Sequence, residues 1–362
     1  MRLIRARIDT RALRGNLARL RAAAPGARVM AVIKANAYGH GLVPTALALS
    51  GADAFAVARI EEGVALRSAG ITQPIVLLEG IVNAGQLAEA AQFQLELVVH
   101  DMGQVALLEG FRGSHRFALW IKVDTGMNRL GLRVDQFRAA WDRLAVLQPR
   151  PLAMRVLTHL ACADERGAPQ TAEQLARLAP LLAGLGAAGP APEVSVANSA
   201  AILALPESHR QWVRPGLALY GASPFAGERG AQLGLKPAMT LLTTVIARRE
   251  LQAGESVGYG ATWTAQRPTT LAILAGGYGD GLLRSLPGGA PVWLAGQRVP
   301  MVGRISMDML AVDVTGVPDV QVGSQAELWG THLPVEELAE LAGTIPYELL
   351  CGVSQRVPIE LV

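Results

Sequence analysis

The segment VMAVIKANAYGHG, residues 29–41, decides the fold class, because an apolar, β-branched run stops at a lysine and a glycine-containing turn follows. This pattern predicts a buried strand that ends at Lys34. Lysine occurs at only three positions, Lys34, Lys122 and Lys236, although lysine and arginine together number 33. A desolvated lysine is more often neutral, and a neutral amine can attack a carbonyl. Lys34 is therefore the first candidate for covalent chemistry, although a lone lysine at a strand end can equally extend its amine into solvent.

Seven more apolar runs follow at residues 54–58, 75–79, 95–99, 117–123, 154–159, 193–198 and 212–220. Each run precedes a longer helical pattern, which is typical of parallel βαβ units. Eight such units predict an α/β fold with a (β/α)8 TIM-type barrel.

After Leu235 the pattern changes to alternating strands separated by Gly and Pro turns, which predicts a mostly antiparallel β domain. The Gly-rich segment 225–236 fits a linker, so we place the barrel at residues 1–233 and the β domain at residues 234–362. The first eight or so residues contain the alternating stretch LIRARID. We expect this stretch to pair with the second domain.

The composition argues against several classes of protein. A net charge of +3 over 362 residues, with scattered arginines, does not favour nucleic-acid binding. No apolar stretch reaches the ~18 residues that a membrane span needs. The two cysteines, Cys162 and Cys351, are far apart and fit neither a disulfide framework nor a metal site, and the chain start does not resemble a secretory signal. We therefore expect no metal and a cytoplasmic location.

Polar side chains occur where several of the predicted strands end, which is where barrel enzymes place their active sites. These residues are Lys34, Lys122, His159, Asn198, Ser199 and Arg214. Some have structural explanations as well. His159 could be a satisfied core histidine, and Lys122 could pair with Asp124. Asn198 and Ser199 could cap a helix. Their convergence on one face of a barrel favours a shared site.

The seventh and eighth strand ends of barrels often form a phosphate site. Ser199 offers a hydroxyl there, and Gly216 offers an approachable backbone amide. A phosphate site beside an amine indicates pyridoxal 5′-phosphate. In this interpretation Lys34 holds the cofactor aldehyde, and Tyr38 lies with Ser199 and Gly216 at the phosphate.

Eight motifs extend this pattern along the chain. They are AVIKANAYGHG at 31–41, KVDTGMNRLG at 122–131, THLACAD at 158–164, NSAA at 198–201, RPGLALYG at 214–221, VGYGATW at 257–263, GGYGDG at 276–281 and GRISMDM at 303–309. In content and order the chain closely resembles the bacterial alanine racemases over essentially its whole length. The resemblance implies a fold-type III pyridoxal phosphate enzyme that interconverts L- and D-alanine. It also implies a homodimer in which the partner subunit completes each active site.

The resemblance assigns the two catalytic bases. Lys34 would bind the cofactor and serve one face of the substrate, while Tyr259 of the partner subunit would serve the other face. Racemisation requires one base on each face, because a single base would mainly restore the starting enantiomer. Arg214 would face the pyridine nitrogen and keep it unprotonated, supported by His159.

The remaining assignments concern binding. The implied cofactor-binding residues, besides Lys34, are Tyr38, His159, Asn198, Ser199, Arg214, Gly216, Leu217 and Tyr347. The implied substrate-binding residues are Arg129, with Met307 and Asp308 of the partner subunit. Lys122, which many relatives carry as a carbamate, would orient Arg129. The implied entry corridor, which restricts the substrate to small side chains, contains Asp164, Tyr278 and Arg304.

Three alternatives remain at this stage. A broad-specificity amino-acid racemase would differ by its activity on larger or basic amino acids. Amino-acid decarboxylases share the architecture, but their pyridine nitrogen faces a carboxylate, and Arg214 argues against that class. A non-catalytic pyridoxal phosphate-binding protein built from a lone barrel would end near Tyr220 and lack Tyr259. The motifs do not separate a role in peptidoglycan precursor synthesis from one in alanine catabolism.

Overall fold

The computed structural model describes residues 2–187 and 190–362, which form a parallel barrel, a second, mostly antiparallel sheet of eight strands and a separate two-stranded antiparallel sheet of Ser256–Val257 and Trp263–Thr264. The strands are β1 (Ile4–Ile8), β2 (Arg28–Val32), β3 (Ala54–Val57), β4 (Ile75–Leu77), β5 (Glu96–Val99), β6 (Ala118–Lys122), β7 (Ala153–Leu157), β8 (Val194–Ser195), β9 (Trp212–Val213), β10 (Met239–Leu251), β11 (Ser256–Val257), β12 (Trp263–Thr264), β13 (Thr269–Ala275), β14 (Pro291–Leu294), β15 (Gln297–Val302), β16 (Met309–Asp313), β17 (Gln325–Trp329) and β18 (Ile359–Leu361). The helices are α1 (Thr10–Ala23), α2 (Lys34–Tyr38), α3 (Leu42–Ala48), α4 (Ile60–Ser68), α5 (Ala84–Gln92), α6 (Met102–Glu109), α7 (Val134–Ala145), α8 (Pro169–Gly186), α9 (Ser199–Ala204), α10 (Val335–Leu341) and α11 (Pro346–Gly352).

The parallel barrel consists of the eight strands β2 to β9, each paired with its neighbour in chain order and β9 paired back to β2. This confirms the predicted (β/α)8 architecture. The last predicted strand, 212–220, is wrong beyond Val213. Pro215 has no N–H to donate to a ladder, and the residues after Gly216 form a 3-10 turn, Leu217–Tyr220. The sixth and seventh strands also stop early, which leaves His159 and Asn198 in loops above the barrel.

The second sheet has the strand order β13-β16-β15-β14-β17-β10-β1-β18, and β10 also pairs with β13. Neighbours are antiparallel except for β1 and β18. This confirms the mostly antiparallel second region. Strand β1 precedes the barrel in sequence but lies in this sheet, with Ile4 opposite Thr243. The sequence pattern did not predict the helices α10 and α11 that follow β17.

Two buried polar side chains hold the segment between barrel and sheet. Asn16 of α1 donates from Nδ2 to the backbone oxygens of Leu219 (3.0 Å) and Lys236 (2.8 Å). Glu336 of α10 accepts from the backbone N–H groups of Ser223 (2.9 Å) and Gly230 (2.8 Å). Because both side chains are buried, these bonds compete little with water and fix the path of the chain out of the barrel.

The amino-terminal end of the barrel is filled by a charged and aromatic cluster. Glu193 pairs with Arg28 and with Arg155 (2.8 Å), and it accepts a hydrogen bond from Trp212 Nε1 (3.0 Å). The Arg28 guanidinium stacks over the Trp212 ring at 4.1 Å. Open space for a ligand is therefore found at the opposite, carboxyl-terminal end.

Among the described residues, we find no helix with the length and apolar character that a bilayer crossing needs.

Candidate active site

A cavity of about 490 Å³ opens at the carboxyl end of the barrel strands. Its size lies within the range of small-molecule and cofactor pockets. Most of the residues predicted for the barrel site line it together. These are Lys34, Tyr38, Lys122, Arg129, His159, Asn198, Ser199, Arg214, Gly216, Leu217 and Tyr347. The cavity thus brings together an amine, several cations and several hydroxyl groups.

Eight further residues line the cavity that the sequence analysis did not single out. They are Val32, Ala35, Ala58, Leu78, Glu79, Leu130, Leu157 and Cys351. Two of them had a usable signal in the sequence. Glu79 is the charged last residue of the predicted run 75–79, so the rule that selected polar residues at other strand ends would have found it. Cys351 follows Tyr347 by four residues on α11, a spacing that places two side chains on one helix face.

The candidate cofactor lysine begins an unusual turn. Lys34 follows strand β2 and Ile33, and the next residues, Ala35 to Tyr38, all have φ between 52° and 53°. Non-glycine residues rarely adopt this left-handed conformation, and then mostly singly. The turn places Tyr38 in the cavity lining, with its ring stacked on Tyr220 at 4.7 Å between centroids. The sequence predicted a turn after Lys34 but not its handedness.

The predicted phosphate end of the cavity contains backbone N–H groups beside a glycine. Ser199 Oγ accepts from the N–H groups of Gly216 (2.9 Å) and Ala218 (3.3 Å). A Cβ at Gly216 would lie 2.6 Å from Tyr38 Oη, so any larger residue would push on that hydroxyl. Asn198 caps α9 by accepting from the Ala201 N–H at 3.0 Å, as the structural alternative anticipated.

Arg214 is buried and held by four acceptors. It donates to Ser195 Oγ (2.6 Å), to the backbone oxygens of Thr158 (2.6 Å) and Val196 (3.1 Å), and to His159 Nδ1 (3.2 Å). Burial lowers the pKa of Arg214 to about 10, so the guanidinium stays charged at neutral pH. Burial and the Arg214 charge hold the pKa of His159 well below its usual value. His159 is therefore neutral and accepts from Arg214.

Lys122 lies in a positively charged environment. Burial, and then the charges of Arg214 and Arg129, lower its pKa to about 8. Asp124 does not pair closely with it. The Asp124 Oδ1 instead accepts from three backbone N–H groups of the loop that carries Arg129, at 2.9 to 3.1 Å. A cavity with this excess of cations favours anionic ligands such as phosphates and carboxylates.

The other six predicted residues do not line this cavity. Tyr259 is 68% exposed in the turn between β11 and β12, the separate two-stranded sheet. Met307 and Tyr278 are 52% and 42% exposed on loops of the eight-stranded sheet. Backbone bonds join these loops, since the Tyr278 N–H donates to Ser306 O (3.1 Å). Asp308 pairs with Arg356 at 2.7 Å. The remaining two residues outside the cavity are Asp164 and Arg304. Asp164 nevertheless contributes to a raised pKa of Tyr347, after burial.

Comparison with known proteins identifies the family. The profile of the alanine racemase N-terminal domain matches residues 8–224, and that of the C-terminal domain matches residues 238–361. An alanine racemase from Shewanella piezotolerans is 47% identical over 355 residues, which cover 98% of each chain. The crystal structure of a biosynthetic alanine racemase from Pseudomonas aeruginosa superposes with a TM-score of 0.95 at 43% identity and covers all of both chains. The alanine racemase from Bacillus anthracis, crystallised with bound L-Ala-P, gives a TM-score of 0.88 at 32% identity, covering 100% of this chain and 95% of that one. Consistent with the resemblance of its motifs, the chain belongs to the alanine racemase family, an isomerase family.

Proposed function

We propose that this protein interconverts L- and D-alanine with pyridoxal 5′-phosphate held in the barrel cavity. Lys34 and Tyr259 of the partner subunit act as the two bases. One observation carries the two-subunit part of the proposal. Lys34 lines the cavity, whereas Tyr259 of the same chain lies outside it and is exposed. This arrangement supports a second base that reaches the cavity from another copy of the chain.

The cavity fits this cofactor. Its volume of about 490 Å³ suits a small aromatic phosphate. Lys34 supplies an amine for the aldehyde. Tyr38 and Ser199 supply hydroxyl donors for the phosphate. The Gly216 N–H, which donates to Ser199 Oγ at 2.9 Å, lies beside them, and the missing side chain at Gly216 leaves room for Tyr38 Oη. When bound, pyridoxal phosphate would first be joined to the Lys34 amine; the substrate amino group would replace that amine and leave Lys34 free, and the cofactor would withdraw electrons from Cα and make its hydrogen acidic.

The two bases then divide the proton transfer. Lys34 removes or returns the Cα proton on one face, and Tyr259 of the partner subunit does so on the opposite face. Each base must lie within hydrogen-bond reach of the proton it transfers. Removal by one base and return by the other inverts the configuration, so L- and D-alanine interconvert.

Arg214 controls where the proton returns. Its guanidinium is charged and fixed by four acceptors, so beside the ring nitrogen it would keep a proton off that nitrogen. An unprotonated nitrogen withdraws electrons less strongly. Negative charge would then remain at Cα, and the two bases would return the proton there rather than to the cofactor. The neutral His159 accepts from Arg214 and thereby helps to orient it.

The substrate carboxylate would bind to Arg129, with Met307 and Asp308 of the partner subunit. Asp164, Tyr278 and Arg304 would line the corridor by which alanine enters, which favours small amino acids. Lys122 would orient Arg129, most effectively as a carbamate, since an anion there offsets the surrounding cations. The product D-alanine would supply peptidoglycan synthesis, or the same reaction would serve alanine catabolism.

The exposed loop residues support a homodimer. Tyr259, Tyr278 and Met307 are large, exposed side chains on loops, and the exposed Met309 begins strand β16. Exposed apolar clusters of this kind are typical of protein interfaces. A two-fold dimer would place this surface of each subunit at the cavity of the other.

The first test incubates the purified protein with pyridoxal phosphate and L-alanine in heavy water. D-alanine that carries deuterium at Cα is the expected result. Tyr259→Phe should retain the cofactor while racemisation falls by about 10² to 10⁴, the usual contribution of a general acid–base group. Full turnover in Tyr259→Phe would remove this tyrosine from the mechanism. Faster turnover of larger or basic amino acids would favour the broad-specificity racemase. A bound cofactor without D-alanine would favour a non-catalytic pyridoxal phosphate protein.

A mixing experiment tests the shared site. Lys34→Ala and Tyr259→Phe are each expected to be inactive. After co-refolding, a hybrid dimer combines an intact Lys34 from one chain with an intact Tyr259 from the other at one of its two sites. Random pairing of a two-fold dimer should then restore about a quarter of the normal activity. No restoration, with hybrid dimers present by mass spectrometry, would argue that each chain uses its own tyrosine.

A further inference from the structure

The left-handed turn after Lys34 requires a structural cause. Ala35, Asn36, Ala37 and Tyr38 all have φ of 52° to 53°. In each of them the Cβ approaches the following carbonyl oxygen, so the conformation is disfavoured for every residue of the run. Such conformations persist only when the surrounding structure holds them. Since Lys34 and Tyr38 stand at the two ends of this turn, whatever holds it also aims both side chains.

His40 makes two side-chain contacts to the turn, in addition to the backbone hydrogen bonds at Ala35, Asn36 and Ala37. It is fully buried, and its Nδ1 lies 3.1 Å from the Ala37 carbonyl oxygen and 2.8 Å from the Tyr38 carbonyl oxygen. Both partners can only accept, so Nδ1 carries the proton and donates to them. Burial lowers the pKa of His40 to about 4, which keeps the ring neutral. Nε2 has no hydrogen-bond partner among the described residues.

The ring of His40 also reaches the strand that leads to Lys34. Its centroid lies 4.5 Å from that of Tyr220, which in turn stacks on Tyr38. The Tyr220 hydroxyl donates to the backbone oxygen of Val32, the last residue of β2, at 3.0 Å. The imidazole is thus connected to both ends of the segment that presents Lys34.

We propose that His40 is a positioning residue. Its Nδ1–H holds the carbonyl groups of Ala37 and Tyr38 in the left-handed turn and thereby directs the Lys34 amine and the Tyr38 hydroxyl into the cavity. This inference rests on the proposed function, in which these two groups bind the cofactor. It assigns to His40 no contact with the cofactor or the substrate.

The test compares His40→Asn with His40→Leu in the full-length protein. The side-chain amide nitrogen of asparagine can occupy nearly the position of Nδ1, so His40→Asn keeps the donor and His40→Leu removes it. The readouts are the dissociation constant of pyridoxal phosphate and the fraction of Lys34 that carries the cofactor after borohydride reduction and peptide mass mapping. We expect His40→Leu to weaken cofactor binding about tenfold, the factor that corresponds to one left-handed penalty, and His40→Asn to bind nearly as the unmodified protein does.

Leu144→Ala is the control for general destabilisation. Leu144 is fully buried on α7 and does not line the cavity. Its truncation should lower the unfolding temperature without changing cofactor affinity. Equal binding by His40→Leu and His40→Asn would overturn the proposal, as would an equal loss in Leu144→Ala. If His40→Leu does not fold, His40→Gln serves in its place, because it moves the donor to the Nε2 position.

A second substitution separates positioning from packing. Glycine accepts positive φ without the Cβ penalty, so adding Ala37→Gly to His40→Leu should recover cofactor affinity. If His40 only fills space, the same substitution would worsen the loss, because Ala37 is itself fully buried. A crystal structure of His40→Leu with residues 35–38 still left-handed would also overturn the proposal. Failure of the unmodified protein to carry cofactor on Lys34 would instead refute the proposed function.

Discussion

Acidification is expected to destabilise this fold through His40. The pKa of His40 falls from 6.5 in the reference state to about 4 in the folded chain, because burial disfavours the charged imidazole. Below pH 6.5 the His40 imidazole is therefore protonated in the unfolded chain, whereas in the folded chain it stays neutral until the pH approaches 4. Stability is fully present above the unfolded pKa and is lost as the pH falls from 6.5 towards 4.

The magnitude follows from the two pKa values. At pH 5 the folded imidazole, with a pKa of about 4, remains mostly neutral. This pH is about 1.5 units below the pKa of the unfolded imidazole, and each unit corresponds to about 1.4 kcal/mol of free energy. His40 alone should therefore lower the free energy of unfolding by about 2 kcal/mol between pH 7.5 and pH 5.

The assay is urea unfolding of the cofactor-free protein, followed by circular dichroism at both pH values, for the unmodified protein and for His40→Asn. Asparagine does not titrate, so the variant should lose about 2 kcal/mol less than the unmodified protein on acidification. All other groups, including the buried His159, are common to both proteins and cancel in the difference. An equal loss of stability in both proteins would refute the argument, because it would mean that the His40 ring is already charged or accessible in the folded state.

Three further predictions concern other parts of the molecule. Gly216→Ala places a Cβ 2.6 Å from Tyr38 Oη and should weaken pyridoxal phosphate binding in a fluorescence titration, whereas Gly15→Ala, with open space around it, should leave binding unchanged. Equal affinities would show that the phosphate lies elsewhere. Glu336→Ala leaves two backbone N–H groups without their acceptor and should cost about 1 to 3 kcal/mol in thermal unfolding, whereas Glu336→Gln keeps one acceptor oxygen and should cost less. Similar losses of stability in Glu336→Ala and Glu336→Gln would contradict this explanation. Lys122 lies among cations and has a pKa of about 8, so we expect it to form a carbamate. Protein equilibrated with ¹³C-labelled bicarbonate should then show a carbamate resonance that Lys122→Gln lacks. If the unmodified protein shows no such resonance, Lys122 is a free amine.

The sequence determined the architecture because the responsible interactions are local and periodic. Apolar runs separated by helical patterns can bury their side chains only as parallel strands covered by helices, so eight of them indicated the barrel. The change to alternating strands after Leu235 indicated the second sheet for the same reason. Strand β9 ends before Pro215 because proline cannot donate to the ladder, although the apolar run continues. Hydrophobicity alone therefore predicts too long a strand there.

The sequence also gave the chemical character of the candidate site. Polar residues at strand ends converge because the carboxyl ends of parallel strands meet at one end of a barrel. Lys34, His159 and Arg214 could be grouped on that basis. The sequence could not predict their ionisation states. The neutral state of His159 depends on burial and on the Arg214 charge, which act together only in the folded chain.

Only the tertiary structure decided how the Lys34 and Tyr38 side chains are oriented and that Tyr259 lies outside the cavity. The left-handed turn at residues 35–38 contradicts backbone preference. It is contacted by the neighbouring His40 and supported by the distant Tyr220, and both side chains take these positions only in the folded chain, so propensity rules could not find it. The exposure of Tyr259, outside the cavity that contains Lys34, likewise depends on where the β11–β12 turn lies in the folded chain. Sequence periodicity reports which faces are buried, whereas the positions of individual reactive atoms are set by long-range contacts that periodicity does not encode.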